Sequence, residues 1–232
     1  MKKKLLLLSL TFSMLYAAGQ QTDTAGYFEG YIDFKNEYKS LIPGVSDNEF
    51  RDRFGEFLRI YYKDGNFKWV FTDNAGYTRS YQLTLQKTHT EYLWNDAFPD
   101  TLFTTDLSDV KRTLVDSIAE ITPDTVLGCA CSVVNISGST AFNESYAESI
   151  PAFFTYYFCP FLRINPDHYE KFKNFRWNEI TKKYRSVAIK MISQYGAYVI
   201  GTFTAIKINH GLISMTEFAI DRSKIIKPAF PD

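Results

Sequence analysis

Cys129 and Cys131, one residue apart in the stretch VLGCACSVV, and the single Cys159 downstream are the residues whose types and spacing most directly suggest chemistry. Three thiols could hold a metal, supply a nucleophile or form a disulfide. Zinc is poorly served, because structural sites usually space their cysteines C-x₂₋₄-C and add a second pair of ligands. Here the spacing is C-x-C, and no histidine or second cysteine pair follows at ligand distance. A thiolate nucleophile wants a histidine base, yet His89, His168 and His210 lie in unrelated segments. On a strand, Cys129 and Cys131 point to the same face about 7 Å apart, too far for a relaxed bridge to each other. An oxidising compartment would favour a bridge from Cys159 to one of the two. We expect Cys131 as the partner, with Cys129 as the alternative, and one thiol left over.

Other chemistry is thinly represented. Phosphate loops, nucleophile elbows, H-E-x-x-H helices and calcium loops are absent from the sequence. An acidic pair such as Asp106 and Asp109 could do acid–base work, but turns, caps and solvation account for such pairs more simply. The sequence therefore predicts no catalytic residue, no metal and no cofactor, and a protein that is not an enzyme.

The compartment is written at the N-terminus. MKKKLLLLSLTFSMLYAAGQQTD places three lysines before an apolar run, Leu5 to Tyr16, and then the small residues Ala17, Ala18 and Gly19. That order is the one found in secretory signal peptides. The run is shorter than the roughly 20 residues of a membrane-spanning helix. We expect residues 1–19 to be a signal peptide, cleaved after Ala17 or Gly19, and residues 20–232 to form one β-rich domain. The mature chain would be soluble, without a transmembrane anchor, in the periplasm or outside the cell. It would carry 23 basic and 26 acidic residues, about three net negative charges. With no basic cluster to override that balance, nucleic-acid binding is not expected.

The elements that must position any site are strands. Twenty Phe, 16 Tyr and 3 Trp favour pleated, half-buried surfaces. In GYFEGYIDFK, Phe28, Ile32 and Phe34 share one face, while Glu29, Asp33 and Lys35 share the other. FLRIYYKDGNFKWVF reads as a hairpin, with strands at 57–62 and 67–72 joined through Asp64-Gly65. THTEYLW, DTLFTTD, SIAEI, VLGCACSVVNI and STAFNESYAES continue the meander. YRSVAIKMIS, AYVIGTFTAIKIN and LISMTEFAI then alternate as longer strands. Helix signals are few. Ser46-x-x-Glu49 has the form of a capping box, and Asn165-Pro166 supplies an N-cap and an N1 proline, with Tyr169 and Phe172 on one face behind it. The predicted fold is mainly β: a single curved antiparallel sheet, half-barrel-like, packed on a few short helices.

Phe28-x-Gly30-x-Ile32, the Tyr62-Lys63-Asp64-Gly65 hairpin and Leu127-Gly128-x-x-Cys131 recur in that order in exported β-rich bacterial families of unknown function. The arrangement is similar to the periplasmic lipoprotein-carrier fold, over about Gly26 to Ile220. That resemblance implies a curved sheet wrapped over short helices around an apolar cavity for acyl chains. No residue for handing cargo to a receptor can be mapped, so a transport role is not implied.

Two functions are expected from these features. One is an envelope binding protein that holds a lipid, an acyl chain or another apolar ligand. Leu58, Ile60 and Tyr62 on one strand, Phe67, Trp69 and Phe71 on its partner, and Tyr81, Leu83 and Leu85 on the next are the expected cavity wall. The same pattern would also suit a packed core. The alternative is a structural or assembly protein that meets an envelope partner protein through a sheet edge or face.

Overall fold

The alternation over residues 30–40 becomes the central strand of the molecule. In this computed structural model, residues 26–108, 113–140 and 149–229 are described. The expected signal peptide, Asp109 and residues 141–148 of the STAFNESYAES stretch lie outside the described residues. β1 (Gly30–Ser40) is followed by α1 (Asp47–Phe54) and a run of five strands: β2 (Phe57–Lys63), β3 (Asn66–Thr72), β4 (Thr78–Leu85), β5 (Thr90–Asn95) and β6 (Thr101–Asp106). A second run comprises β7 (Thr113–Val126), β8 (Cys129–Thr140), β9 (Ile150–Arg163), β10 (Ser186–Tyr195) and β11 (Val199–His210), with α2 (Trp177–Tyr184) between β9 and β10. β12 (Ile225–Pro228) closes the described chain. All the strands belong to one sheet, in the order β12-β6-β5-β4-β3-β2-β1-β11-β10-β9-β8-β7. Every pairing is antiparallel except β12 with β6.

Chain connectivity requires the sheet to curl. Ten inter-strand steps separate β6 from β7, about 48 Å across a flat sheet at 4.8 Å per step. The seven residue steps from Asp106 to Thr113 reach about 25 Å at most. The two ends of the sheet must therefore approach one another, as in a half-barrel.

The β2–β3 hairpin forms as its residues dictate. Asp64 and Gly65 have φ of 49° and 76°, the doubly positive turn that matches strand twist. Register sets Leu58 opposite Phe71, Ile60 opposite Trp69, and Tyr62 opposite Phe67. These residues continue the concave face of β1, where Ile32 and Phe34 are fully buried. The outer face is polar and paired, with Arg59 Nε 2.5 Å from Asp33 Oδ1 and its guanidinium over the Tyr31 ring.

The concave face is covered by residues 164–185. Asn165 Oδ1 accepts from the Asp167 N–H at 3.1 Å and caps a single 3₁₀ turn, Pro166–Tyr169. The helix expected behind Asn165-Pro166 is thus only one turn long, and the α-helix begins at Trp177. Phe175 and Arg176, both at positive φ, break the chain between them. Tyr169, Phe172 and Ile180 are buried against the sheet, and Tyr184 stacks on Phe158 with ring centroids 4.8 Å apart. At the other helix, the Glu49 carboxylate accepts from the Ser46 N–H at 3.2 Å.

Two further differences concern strands. IPAFFTYYFCPFLR, which lacks strict alternation, forms the long strand β9. LISMTEFAI, expected as a strand, contains a 3₁₀ turn at Met215–Phe218, where Ser214 Oγ accepts from the Thr216 N–H at 3.2 Å. This C-terminal stretch packs over the convex face, where Phe218, Leu83 and Leu102 are buried apart from the main core. It then places β12 alongside β6 and so shields that sheet edge.

The disulfide joins Cys159 to Cys129, with Cα atoms 6.1 Å apart, and corrects the expected Cys131 pairing. The β8–β9 ladder ends at Ser132–Phe158, one step short of Cys131 and Cys159. Beyond it, β9 shifts register against β10 between Phe158 and Arg163, next to Pro160, which cannot donate to a ladder. Cys159 therefore meets Cys129, not the residue its register would have placed opposite. Cys131 is the buried free thiol.

Candidate ligand-binding cavity

Between the concave sheet and residues 164–185 lies a cavity of about 820 Å³. That volume is within the range typical of small-molecule sites. Four of the sequence-predicted wall residues line it: Tyr62, Phe67, Trp69 and Phe71. All four are half-buried. Phe67 meets Tyr169 and Phe172 at 6.2 and 6.3 Å between centroids, whereas Trp69 contacts Phe71 alongside it at 6.2 Å.

The opposite wall comes from β9 and β10. Phe154 packs edge-on to Phe175 at 4.8 Å and to Tyr195 at 5.5 Å, and Tyr156 lies 5.1 Å from Trp177. Burial raises the hydroxyl pKa of Tyr62, Tyr156 and Tyr169, and pushes that of Tyr195 up to about 12. All four remain neutral phenols, able to donate or accept a hydrogen bond beside an apolar ring.

The other predicted wall residues are placed differently. Leu58 and Ile60 share the concave face but are fully buried in the core beneath the cavity. Tyr81 and Leu83 project from the convex face: Tyr81 lies opposite Val70, and Leu83 opposite Lys68. Leu85, two and four residues further along the same strand, shares their side. Leu83 is buried under the C-terminal stretch, and Tyr81 stacks on Trp94 at 5.5 Å. The expectation that β4 extends the wall through its apolar residues is therefore corrected. Its concave residues are Ser80, Gln82 and Thr84, opposite Phe71, Trp69 and Phe67.

Sequence reasoning missed this polar side. Gln82 and Glu91 line the cavity, and Gln82 Nε2 donates to Glu91 Oε2. Desolvation raises the Glu91 carboxyl pKa, and the Gln82 hydrogen bond offsets this in part. Asp106 also lines the cavity, but Ser108 donates to it from its backbone N–H at 2.8 Å and from Oγ at 2.7 Å. Those bonds lower its pKa and keep it ionised. Ser80-x-Gln82-x-Thr84 on β4 and Glu91 on β5 held the signal, since polar residues on the concave parity of two adjacent strands predict a polar patch.

The remaining candidates for chemistry are scattered. His168 packs on Gly65, His210 lies edge-on to Phe28 at 5.0 Å, and His89 faces Phe172 at 6.2 Å. Burial raises the Cys131 thiol pKa, and its Sγ donates to the Cys129 carbonyl at 3.4 Å. A thiol so placed is a poor nucleophile. Among the described residues no helix is long and apolar enough to cross a membrane. No family model matches the chain, and no curated protein matches it either.

Proposed function

We propose that the protein is an exported, non-enzymatic binding protein of the bacterial envelope that holds a lipid, an acyl chain or another apolar molecule under its curved sheet. The observation that carries this reading is the 820 Å³ space bounded by Tyr62, Phe67, Trp69 and Phe71 on one wall and aromatic rings on the other. Apolar surface left facing a void this large gains free energy when an apolar molecule fills it. The similarity to the lipoprotein-carrier arrangement points the same way. The signal-peptide order of residues 1–19 and the Cys129–Cys159 disulfide are compatible with an oxidising compartment outside the cytoplasm.

A second reading has one observation in its favour. β7 ends the sheet and exposes Leu114 and Ile121, a surface that a partner envelope protein could extend by strand addition.

Trp69→Ala separates a cavity wall from an ordinary core. In a packed core the truncation costs about 3–5 kcal/mol. At the cavity wall we expect a smaller loss in denaturant unfolding, together with altered uptake of the neutral apolar dye phenylnaphthylamine. A loss within the packed-core range, with no dye bound by the parent protein, would refute the binding role.

A further inference from the structure

The cavity has a chemical polarity that narrows what it would hold. Its apolar walls meet two carboxyls, Asp106 and Glu91, and Glu91 projects from β5 on the concave side. Thr84 of β4 and Thr105 of β6 flank it in register. Gln82 fixes one carboxyl oxygen by donating to it. The other oxygen, Oε1, has no protein donor among the described residues. Tyr195 of β10 is close enough across the cavity for Glu91 to affect its ionisation. Asp106 is occupied by Ser108. Among the described lining residues there is no lysine, arginine or histidine.

We propose, resting on the apolar-ligand reading above, that the occupant's polar end is a hydrogen-bond-donating cation at Glu91: a long-chain amine or another apolar molecule ending in an ammonium group. The chemistry favours this head over an anionic one. A carboxylate or phosphate head beside Glu91 would have to share a proton with it, because the two cannot both ionise away from water with no cation from the described lining to offset them. An ammonium supplies both the missing donor for Oε1 and the opposite charge. It also gains from nearby ring faces such as Trp69, which lies opposite Gln82 in register. Burial favours the protonated carboxyl, so an ammonium ligand would draw Glu91 into its ionised form, and a neutral ligand would not.

The test is displacement of phenylnaphthylamine from the full mature protein by dodecylamine, dodecanol and dodecanoic acid, which share one chain length. We expect the amine to bind about tenfold or more tightly than the acid, the equivalent of one charge-assisted hydrogen bond. Glu91→Gln keeps the acceptor for Gln82 and should erase that preference, the amine losing more affinity than dodecanol. The ranking within the parent protein decides the matter even if the variant folds poorly. Equal binding of all three probes, or preference for the acid, would overturn the ammonium assignment and leave the apolar cavity standing. Failure of every probe and of the dye would overturn the cavity reading and this inference with it.

Discussion

Cys129, Cys131 and Cys159 show how much a few residues of local geometry decide. Composition and compartment pointed to one disulfide and one free thiol, and the molecule has both. Which cysteine pairs depended on where the β8–β9 ladder stops, and a two-residue spacing does not encode that. Closing a loop between residues 30 apart stabilises the fold by about 3–4 kcal/mol in the chain-entropy model. Thiol titration of unreduced protein should find one reactive cysteine after denaturation and none before it, and peptide mapping should assign it to Cys131. Glu91 makes a second prediction at this scale. Its carboxyl pKa is raised in the folded protein, chiefly by desolvation. From the unfolded-state value of about 4.3 up to the raised folded value, the native state binds more proton than the unfolded chain. Stability therefore falls as pH rises through that window. Glu91→Gln should remove this slope, making the variant the more stable protein at neutral pH and indistinguishable from the parent below pH 4. Denaturant midpoints across a pH series measure it, and a variant that is less stable at neutral pH would contradict it.

At the scale of elements, the β2–β3 hairpin was the most legible part, because an Asp-Gly turn and two alternating runs agree on one register. Gly65 has a second duty there. It adopts φ +76°, and a Cβ at this position would lie 2.5 Å from the His168 Cβ on the segment that covers the cavity. Gly65→Ala should cost about 1–3 kcal/mol, from strain in the turn and displacement of that segment, as read by chemical denaturation. A neutral effect would mean that the hairpin and the covering segment are not packed as described. β4 was misread for a physical reason. Period-two alternation separates two faces but does not say which one is concave. Tyr81, Leu83 and Leu85 are apolar because the C-terminal stretch covers the convex side, and only the register with β3 reveals it. β9 was overlooked because apolar residues stand on both of its faces, Phe153 and Phe161 exposed on one and Phe154 and Phe158 buried on the other, so its sequence reads as an apolar run without alternation. Residues 212–220 alternate like a strand, but the Ser214 cap diverts them into a turn.

For the whole molecule, the strand-rich composition and short loops made a single antiparallel-dominated sheet legible. Its strand order was not, because adding the second half of the meander back toward β1 depends on contacts remote in sequence. That order is what curls the sheet, and the curl makes the space that residues 164–185 incompletely fill. The cavity is thus a consequence of topology lined by residues chosen for aromatic surface, with a polar patch on β4 and β5. The central claim is that this space holds an apolar molecule. Mass spectrometry of the protein purified from its native compartment, first intact under native conditions and then as an organic extract, tests that claim most directly. The account predicts an apolar compound at about one per chain, released on denaturation. Protein that is empty in both measurements and co-purifies instead with an envelope partner would contradict it.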